Sequence, residues 1–313
     1  FSETEKNGAH LKVGRLILQL TKQEEFNDKI LTIMDHINRG IDLIIDPQER
    51  LKLAGYNLVA GRKAKASAAF DTAANCFKAG IKLLPSNAWD KCYDLCFEIY
   101  VEHAQCEFLI ENVTEAEELF DMIIDQTKNE LDKADVYGIQ MLLYTGKGKY
   151  SKAVEIGIKA LKRLGMVIPA NPSIKDKLKE LLYYKVFMSR RSIEELYKLP
   201  EMKDPVQRKV AKLLINFILA TSTGYPNLHS FAIIKAGNHT LRYGRTEMAP
   251  IGYIGYSIVE GSLFGNYAAG DRLGSVAIKL TERYDKTYPK CIVYFTFGAI
   301  IQHWTHHAKE GIN

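Results

Sequence analysis

The stretch Ala68-Ala69-Phe70-Asp71-Thr72-Ala73 decides the fold, because the chain repeats its pattern. In each copy a small, flexible or polar residue comes first, an aromatic or apolar residue follows, and alanine or glycine comes three positions later. The other copies are Glu111-Asn112-Val113-Thr114-Glu115-Ala116, Gly148-Lys149-Tyr150-Ser151-Lys152-Ala153 and Gly265-Asn266-Tyr267-Ala268-Ala269-Gly270. Repeated units that cannot bury their apolar faces alone stack into a solenoid, which presents surfaces rather than a single catalytic pocket. The repeat therefore predicts a recognition or sensing module.

The repeats can be phased by their small residues, with aromatic or proline residues at fixed offsets. The first frame is Ala73, Phe77, Gly80 and Pro85, with Gly61 on the preceding helix. A small residue lets two helices approach, an aromatic ring fills the gap beside it, and proline ends the unit, as in tetratricopeptide repeats. The frame recurs as Ala116, Phe120 and Ile123, as Ala153, Gly157 and Ala160, and as Gly270, Gly274 and Ala277. The units are spaced more widely than the ideal of about 34 residues, so we predict irregular relatives of these repeats.

The sequence carries clear signals for the starts of several helices. Asp46 is a good N-cap, Pro47 fits the first helical position, and Glu49 is placed to complete a capping box. The same signal recurs at Asp204-Pro205, and a third version is Ser192-Ile193-Glu194-Glu195. These signals predict helices that begin directly after Asp46, Asp204 and Ser192.

Two regions follow from this reading. Residues 1–45 are predicted to form N-terminal helices: one from His10 to Leu20, and a second that carries the apolar stripe Phe26, Ile30, Ile33, Ile37 and Ile41. Residues 46–313 are predicted to form the solenoid, with a helical insertion near 173–206. Because even Tyr253 to Tyr256 fits a helix better than alternation, no strand is expected. The predicted fold class is all-α, an α–α superhelix of irregular tetratricopeptide-like repeats.

Composition limits the function classes. The 313 residues are 47% hydrophobic and 25% charged with a net charge of +5, so the chain is globular and shows no basic patch for nucleic acid or membrane. Five cysteines without a secretory leader predict a reducing, cytoplasmic compartment. No apolar run approaches the roughly 20 residues that cross a bilayer. Because the chain opens at Phe1 and closes within a repeat, we expect a segment of a longer protein.

Three groups of residues resemble phosphate-binding or metal-binding motifs, and each also has a simpler structural interpretation. Thr145 to Tyr150 contains Gly-Lys-Gly but follows no strand, so a turn between helices is expected rather than a phosphate loop. Four potential metal ligands follow one another on one predicted helix: Cys92, Cys96, His103 and Cys106. They would span roughly 20 Å, too far to converge on one ion, so buried structural residues are expected. His303 and His307 have a zinc-compatible helical spacing but lack the acid of a metalloprotease motif.

No nucleophile or acid–base pair is recognisable, so we predict a non-catalytic segment that needs no cofactor. A metal-dependent enzyme that uses His303, His306 and His307 remains an alternative.

Phasing places a set of first-helix side chains on the expected concave face. They are Arg62, Lys65, Glu98, Gln105, Phe108, Thr145, Ser262 and Gln302. This mixture is polar with one aromatic residue, which suits a peptide, a protein or a small polar effector better than a lipid. Basic residues such as Arg62 and Lys65 are also common on solvated helix faces, so a phosphate or acidic-partner role stays open.

Several stretches taken together resemble a known family. They are His10 to Leu16, His36 to Gly40, Ala60 to Ser67, Leu199 to Pro205 and Leu263 to Gly270. The set resembles the helical-repeat region of very large, mainly bacterial signalling proteins. Those proteins combine a serine/threonine-kinase-like domain, a STAND-type AAA ATPase, a tetratricopeptide-like region, a GAF domain and often a histidine kinase.

The resemblance implies a position after the ATPase and its winged-helix segment and before the GAF and output domains. In that position the region would sense an effector or partner, contact other domains of its own chain and relieve autoinhibition of the ATPase. None of the family's catalytic motifs maps onto this chain. The alternative function is a spacer or dimerisation scaffold between the ATPase and the output domains.

Overall fold

The computed structural model describes residues 2–307, and the regular structure in this range is helical. The single departure is an isolated parallel β-bridge between Glu201 and Arg245. The all-α prediction is therefore confirmed. The chain divides into two compact units, residues 1–128 and 129–313.

The first unit is built from seven α-helices between residues 2 and 128. They are α1 (Glu3–Leu20), α2 (Gln23–Arg39), α3 (Pro47–Ala66), α4 (Phe70–Leu83), α5 (Ala88–Lys91), α6 (Tyr93–Leu109) and α7 (Val113–Gln126). Apart from the short α5, each helix packs against its neighbour in the chain, α4 packing on α6. The predicted apolar stripe on α2 is confirmed, because Ile30, Ile33 and Ile37 are fully buried.

The second unit contains eight α-helices within residues 129–307. They are α8 (Glu130–Gly146), α9 (Tyr150–Arg163), α10 (Ile174–Met188), α11 (Pro205–Thr221), α12 (Pro226–Tyr243), α13 (Ala249–Ile258), α14 (Tyr267–Tyr284) and α15 (Thr287–Thr296). Two π-helical segments, Val259–Leu263 and Phe297–Ile301, continue α13 and α15. Most of these helices also pack in chain order, but α10 packs on α12. In both units this packing is consistent with a helical solenoid.

The repeated sequence pattern marks a turn. Its first residue has a positive φ in every copy: Ala68 (58°), Glu111 (70°), Gly148 (71°) and Gly265 (66°). In the first three copies the next residue donates its backbone N–H to a carbonyl five residues back, for example Ala69 to Ala64 at 3.0 Å. This is the Schellman arrangement that ends one helix and starts the next. The glycine-rich segment around Gly148 is thus the predicted turn between helices.

Two of the three predicted helix starts are confirmed. The carboxylates of Asp46 and Asp204 accept hydrogen bonds from backbone N–H groups of α3 and α11, and each helix begins with proline. Glu49 does not complete a capping box, since its carboxylate binds the guanidinium of Arg15 in two 2.7 Å hydrogen bonds. Ser192 precedes only a short 3-10 helix, Ile193–Lys198, and its side chain makes no cap hydrogen bond to the backbone.

The small residues of the frames lie where helices touch. Ala73, Ala116, Ala153 and Ala277 are fully buried. A Cβ on Gly61 of α3 would lie 2.3 Å from the ring of Phe77 on α4, which confirms the predicted contact. Gly157 meets the ring of Phe217 in the same way at 2.4 Å. The helix pairs therefore approach to a distance that only glycine allows.

Replacement of Gly61 by alanine tests this contact. We expect Gly61→Ala to lower the free energy of unfolding by about 1–3 kcal/mol, because the new methyl group overlaps the Phe77 ring. The matched control is Gly55→Ala on the same helix, where a Cβ would meet no atom within 4 Å. That change should raise stability by about 0.5–1 kcal/mol through helix propensity. Urea unfolding followed by circular dichroism measures both, and an equal effect of the two changes would contradict the contact.

Candidate functional site

Four of the predicted binding residues form a charged cluster between α3 and α6. The guanidinium of Arg62 lies 3.0 Å from Glu98 and 2.9 Å from Glu102, and Lys65 Nζ lies 2.7 Å from Glu102. Lys65 also donates to Gln105 Oε1 at 2.8 Å. Burial alone would raise the pKa of Glu102, but hydrogen bonds from Lys65 and Arg62 outweigh it and lower the pKa. The sequence suggested that the positive charges of Arg62 and Lys65 bind a ligand. In the structure, carboxylates of the protein itself neutralise them.

Phe108, the predicted aromatic contact, does not lie on the surface. Its side chain is 1% exposed and belongs to the core. The expectation that it faces a ligand was wrong, because this face of α6 is covered by its neighbours in the repeat.

The other predicted residues lie in the second unit. The hydroxyl of Thr145 donates to the carbonyl of Met141 within α8 at 2.7 Å. Ser262 is exposed in the π-helical segment after α13, and Gln302 is half-buried in a short 3-10 helix. None of the eight predicted residues lines the two cavities described next.

A cavity of about 360 Å³ lies within the second unit. Its walls are the loop after α9, one face of α10 and one face of α12. The lining residues are Gly165, Met166, Val167, Lys179, Glu180, Tyr183, Lys235, Asn238, His239, Arg242 and Tyr243. Spacings of three and four residues on α12 bring these side chains to one face of the helix. The size matches a small-molecule site.

The lining of this cavity carries more positive than negative charge. Lys179, Lys235 and Arg242 are the cations, and Glu180 is the carboxylate. Glu180 is already engaged, with Lys235 Nζ at 2.6 Å and Asn238 Nδ2 at 2.7 Å. Lys179 and Arg242 are exposed at the rim, where Arg242 lies 6.0 Å from the ring of Tyr183. The cavity is therefore suited to a small anion.

His239 is the buried polar group of this cavity. Its Nε2 lies 2.9 Å from Gln207 Oε1, while its Nδ1 is buried with no hydrogen-bond partner among residues 2–307. Burial first, and then the charges of Lys235 and Arg242, lower its pKa to about 4. The imidazole is thus neutral near pH 7, and because Nε2–H donates to Gln207 Oε1, Nδ1 can only accept a hydrogen bond.

Helix α10 connects the cavity wall to a second buried group. Glu260, in the π-helical segment, is 4% exposed and accepts hydrogen bonds from Tyr184 Oη at 2.7 Å and Lys185 Nζ at 2.8 Å. The ring of Tyr184 stacks on that of Tyr256 with 4.1 Å between centroids. Because Tyr184 follows the cavity residue Tyr183 directly, movement of α10 at the cavity would be felt at Glu260.

A second cavity, of about 540 Å³, lies in the first unit between α2 and α4. Asp35 is its charged lining residue and pairs with Arg39 at 3.2 Å. The Asn38 amide is held by Asn57 at 2.8 Å. Because the Asp35 carboxylate and the Asn38 amide are engaged in this way, and the lining carries no cation, the second cavity is less suited to an anion than the first.

The structure separates the potential metal ligands noted in the sequence. Cys96 and Cys106 are fully buried, as predicted for structural residues, and burial raises their thiol pKa values to about 12 and about 11. His303 and His307 do not share an α-helix, because a 3-10 helix ends at Trp304. His306 Nδ1 instead lies 3.5 Å from Asp271. Within residues 2–307, no converging group of three ligands includes any of these histidines.

Sequence reasoning missed the cavity for an identifiable reason. Its residues come from three segments that lie far apart in the chain, and α10 falls in the region read as an insertion. The available signal was the spacing of Lys235, Asn238, His239 and Arg242, which puts four polar residues on one face of α12.

The buried state of His239 predicts a pH dependence of stability. The unfolded imidazole, with its ordinary pKa of 6.5, takes up a proton before the folded one, whose pKa is about 4. The contribution of His239 to the free energy of unfolding is therefore fully present above pH 6.5 and is lost as the pH drops from 6.5 towards 4. Between pH 7 and 5 the loss from this residue should be about 2 kcal/mol.

The variant His239→Gln isolates this contribution. It should lose about 2 kcal/mol less than the parent between the two pH values, as measured by urea unfolding. The comparison is needed because burial also lowers the pKa of His103 and His229. Equal pH dependence in parent and variant would show that His239 is not held neutral.

Comparison with known proteins gives one distant relationship. No family model matches the chain. The curated Hybrid signal transduction histidine kinase G of Dictyostelium discoideum is 23% identical over 350 aligned positions, which cover 98% of this chain and 10% of that protein. The chain thus spans about a tenth of the length of this relative. The expected likeness to large signalling proteins is confirmed in this coarse form, whereas the tetratricopeptide, STAND, GAF and serine/threonine-kinase assignments stay predictions.

In residues 2–307, no helix has both the length and the apolar character of a membrane span.

Proposed function

We propose that this chain is a non-catalytic, tetratricopeptide-like α–α superhelix that senses a small anionic effector within a multi-domain signalling protein. The cavity between α10 and α12 carries the proposal, because it combines surplus positive charge with a buried Nδ1 on His239 that has no hydrogen-bond partner within residues 2–307. The distant similarity to a histidine kinase over nearly the whole chain supports the signalling context.

The chemistry of the cavity defines the effector class. Lys179 and Arg242 at the rim attract an anion, and an arginine fork suits a carboxylate or a phosphate. Deeper in the site, Nδ1 of His239 can accept a hydrogen bond from a hydroxyl group of the effector, because Nε2 faces Gln207 Oε1. The Asn238 amide is already engaged by Glu180 and Tyr256. Tyr183 and Tyr243 supply flat apolar surface at the opening. A small polar acid or phosphate ester fits this arrangement better than a lipid or a neutral sugar.

The route from effector to output runs through α10. A ligand that draws Lys179 and Tyr183 towards α12 shifts the helix that also holds Glu260 through Tyr184 and Lys185. A buried carboxylate that loses a partner is costly, so the π-helical segment would follow α10. In this proposal α10 is the moving element. The partly exposed cluster of Arg62, Lys65, Glu98 and Gln105 is proposed as a contact for a protein, a peptide or another domain of the same chain.

A thermal-shift screen of small carboxylates, sugar phosphates and nucleotides tests the effector. We expect an anionic compound to raise the melting temperature, and the double variant Lys179→Gln/Arg242→Gln to bind it at least about tenfold more weakly, a difference of about 1.4 kcal/mol. The control is Lys175→Gln, which removes an exposed lysine of α10 that does not line the cavity. Unchanged affinity in the double variant would contradict the site.

The alternative function, a scaffold that dimerises, is favoured by one observation. Four apolar side chains spaced four residues apart on α10 are exposed: Ile174 (77%), Leu178 (58%), Leu182 (65%) and Val186 (64%). A continuous exposed apolar stripe of this kind is typical of an interaction surface.

Sedimentation velocity across a range of concentrations tests the scaffold. If α10 mediates self-association, the parent should form reversible dimers that Leu182→Glu abolishes, because a buried unpaired carboxylate is costly. Leu20→Glu, at the exposed end of α1, is the control and should leave the dimer intact. A parent that stays monomeric at every concentration would exclude the scaffold and leave the sensor.

A further inference from the structure

Three side chains with metal-binding atoms converge at the hairpin of α6 and α7 in the first unit. His103 and Glu107 lie one helical turn apart on α6, and Glu115 lies in the first turn of α7. The turn between the helices is held by Glu111 at φ 70° and by a 2.9 Å hydrogen bond from the Asn112 N–H to the Glu107 carbonyl. This turn brings the start of α7 alongside the end of α6.

The potential ligand atoms of these residues lie within 4.8 Å of one another. His103 is 3% exposed and Glu107 is 5% exposed, whereas Glu115 is exposed. Both ring nitrogens of His103 are buried without a hydrogen-bond partner of acceptable geometry in the described part of the chain. Its Nε2 lies 3.0 Å from Glu107 Oε1. A buried imidazole without hydrogen bonds is costly unless something else occupies its nitrogen.

A simple ion pair between His103 and Glu107 does not account for this arrangement. The 3.0 Å approach joins only Nε2 to Glu107 Oε1, and Nδ1 stays buried without a hydrogen-bond partner in the described residues. The carboxylate of Glu115 also converges on the same place, and the pair does not use it.

We propose that His103, Glu107 and Glu115 bind a divalent transition-metal ion, with Zn²⁺ as the representative. One imidazole nitrogen and two carboxylate oxygens form a donor set that this class of ion accepts, and two carboxylates balance its charge. The three protein ligands leave one position for water or for a group from a partner.

Two features of the surroundings support this assignment. Asn112 Nδ2 donates to Glu107 Oε2 at 2.8 Å, which fixes the carboxylate and leaves Oε1 directed at His103, as outer hydrogen bonds do in metal sites. Ligands around a tetrahedral zinc ion lie roughly 3.3 Å apart, as follows from Zn–ligand distances near 2.0 Å. Because Glu115 is exposed, its side chain can rotate to close the remaining gap.

Bound metal would tie α6 to α7 and so add a link within the first unit. The site lies outside both cavities described above, so it does not depend on the proposed effector. Its ligands also differ from the cysteines and the His303–His307 group that the sequence first suggested.

The test is titration of the 313-residue chain with Zn²⁺ by calorimetry after removal of metal with a chelator. We expect one ion per chain, with at least tenfold weaker binding in Glu115→Gln and in Glu107→Gln. The matched control is Glu117→Gln, which makes the same change on an exposed residue of α7 about 200° around the helix from Glu115. It should bind like the parent. Because Glu115 is exposed, its variant should fold like the parent.

Two further readouts separate this site from adventitious binding. Zn²⁺ should raise the melting temperature of the parent and of Glu117→Gln but not that of Glu115→Gln. Co²⁺ in place of Zn²⁺ should give weak d–d absorption without the intense charge-transfer band of thiolate ligands, because no cysteine belongs to the proposed set. Absence of binding, or binding that survives both Glu107→Gln and Glu115→Gln, would overturn the proposal.

Discussion

Close contact between a glycine on one helix and an aromatic ring on the next is the constraint on which the repeat structure depends. Gly61 faces Phe77 in the first unit, and Gly157 faces Phe217 in the second. The contact of Gly61 with Phe77 is possible only if the turn between α3 and α4 reverses the chain sharply, which accounts for the positive φ at Ala68. Ala68 and Glu111 adopt this conformation without the freedom of glycine, so packing of the helices must hold it in place.

Helix α10 shows what happens where this constraint is absent. It packs on α12 outside the chain order of the hairpins. The segment that joins it to α11 contains a 3-10 helix and Glu201, which forms the β-bridge with Arg245 after α12. The sides of α10 therefore make different contacts. Lys179, Glu180 and Tyr183 line the cavity, while Tyr184 and Lys185 donate hydrogen bonds to Glu260. A third side exposes the apolar stripe. A helix that is not locked into the repeat is the element best able to respond to a ligand.

Local features such as helix caps were predicted from the sequence more accurately than which side chains each helix buries or exposes. The caps at Asp46 and Asp204 depend on residues a few positions apart, and the buried alanines follow from a repeated spacing, so both could be read directly. Phe108 and Glu49 were misplaced because their surroundings come from distant segments: a core that covers α6, and Arg15 on α1. The cavity was missed for the same reason. His103 was noticed, but with cysteines on its own helix rather than with Glu115 on the next one.

Charge balance distinguishes the three polar clusters more sharply than exposure does. Around Arg62 and Lys65, acids on α6 neutralise the cations, so the cluster is satisfied without a ligand and its net contribution to affinity would be small. In the cavity, cations outnumber the carboxylate, and the imidazole that faces them is neutral. At the α6–α7 hairpin the imbalance has the opposite sign, with two carboxylates around one imidazole. A buried polar group without a partner costs stability, and a bound ligand or ion that pairs with it removes that cost. This comparison is the basis for proposing an anion at one site, a cation at the other, and surface contacts for the best-paired cluster.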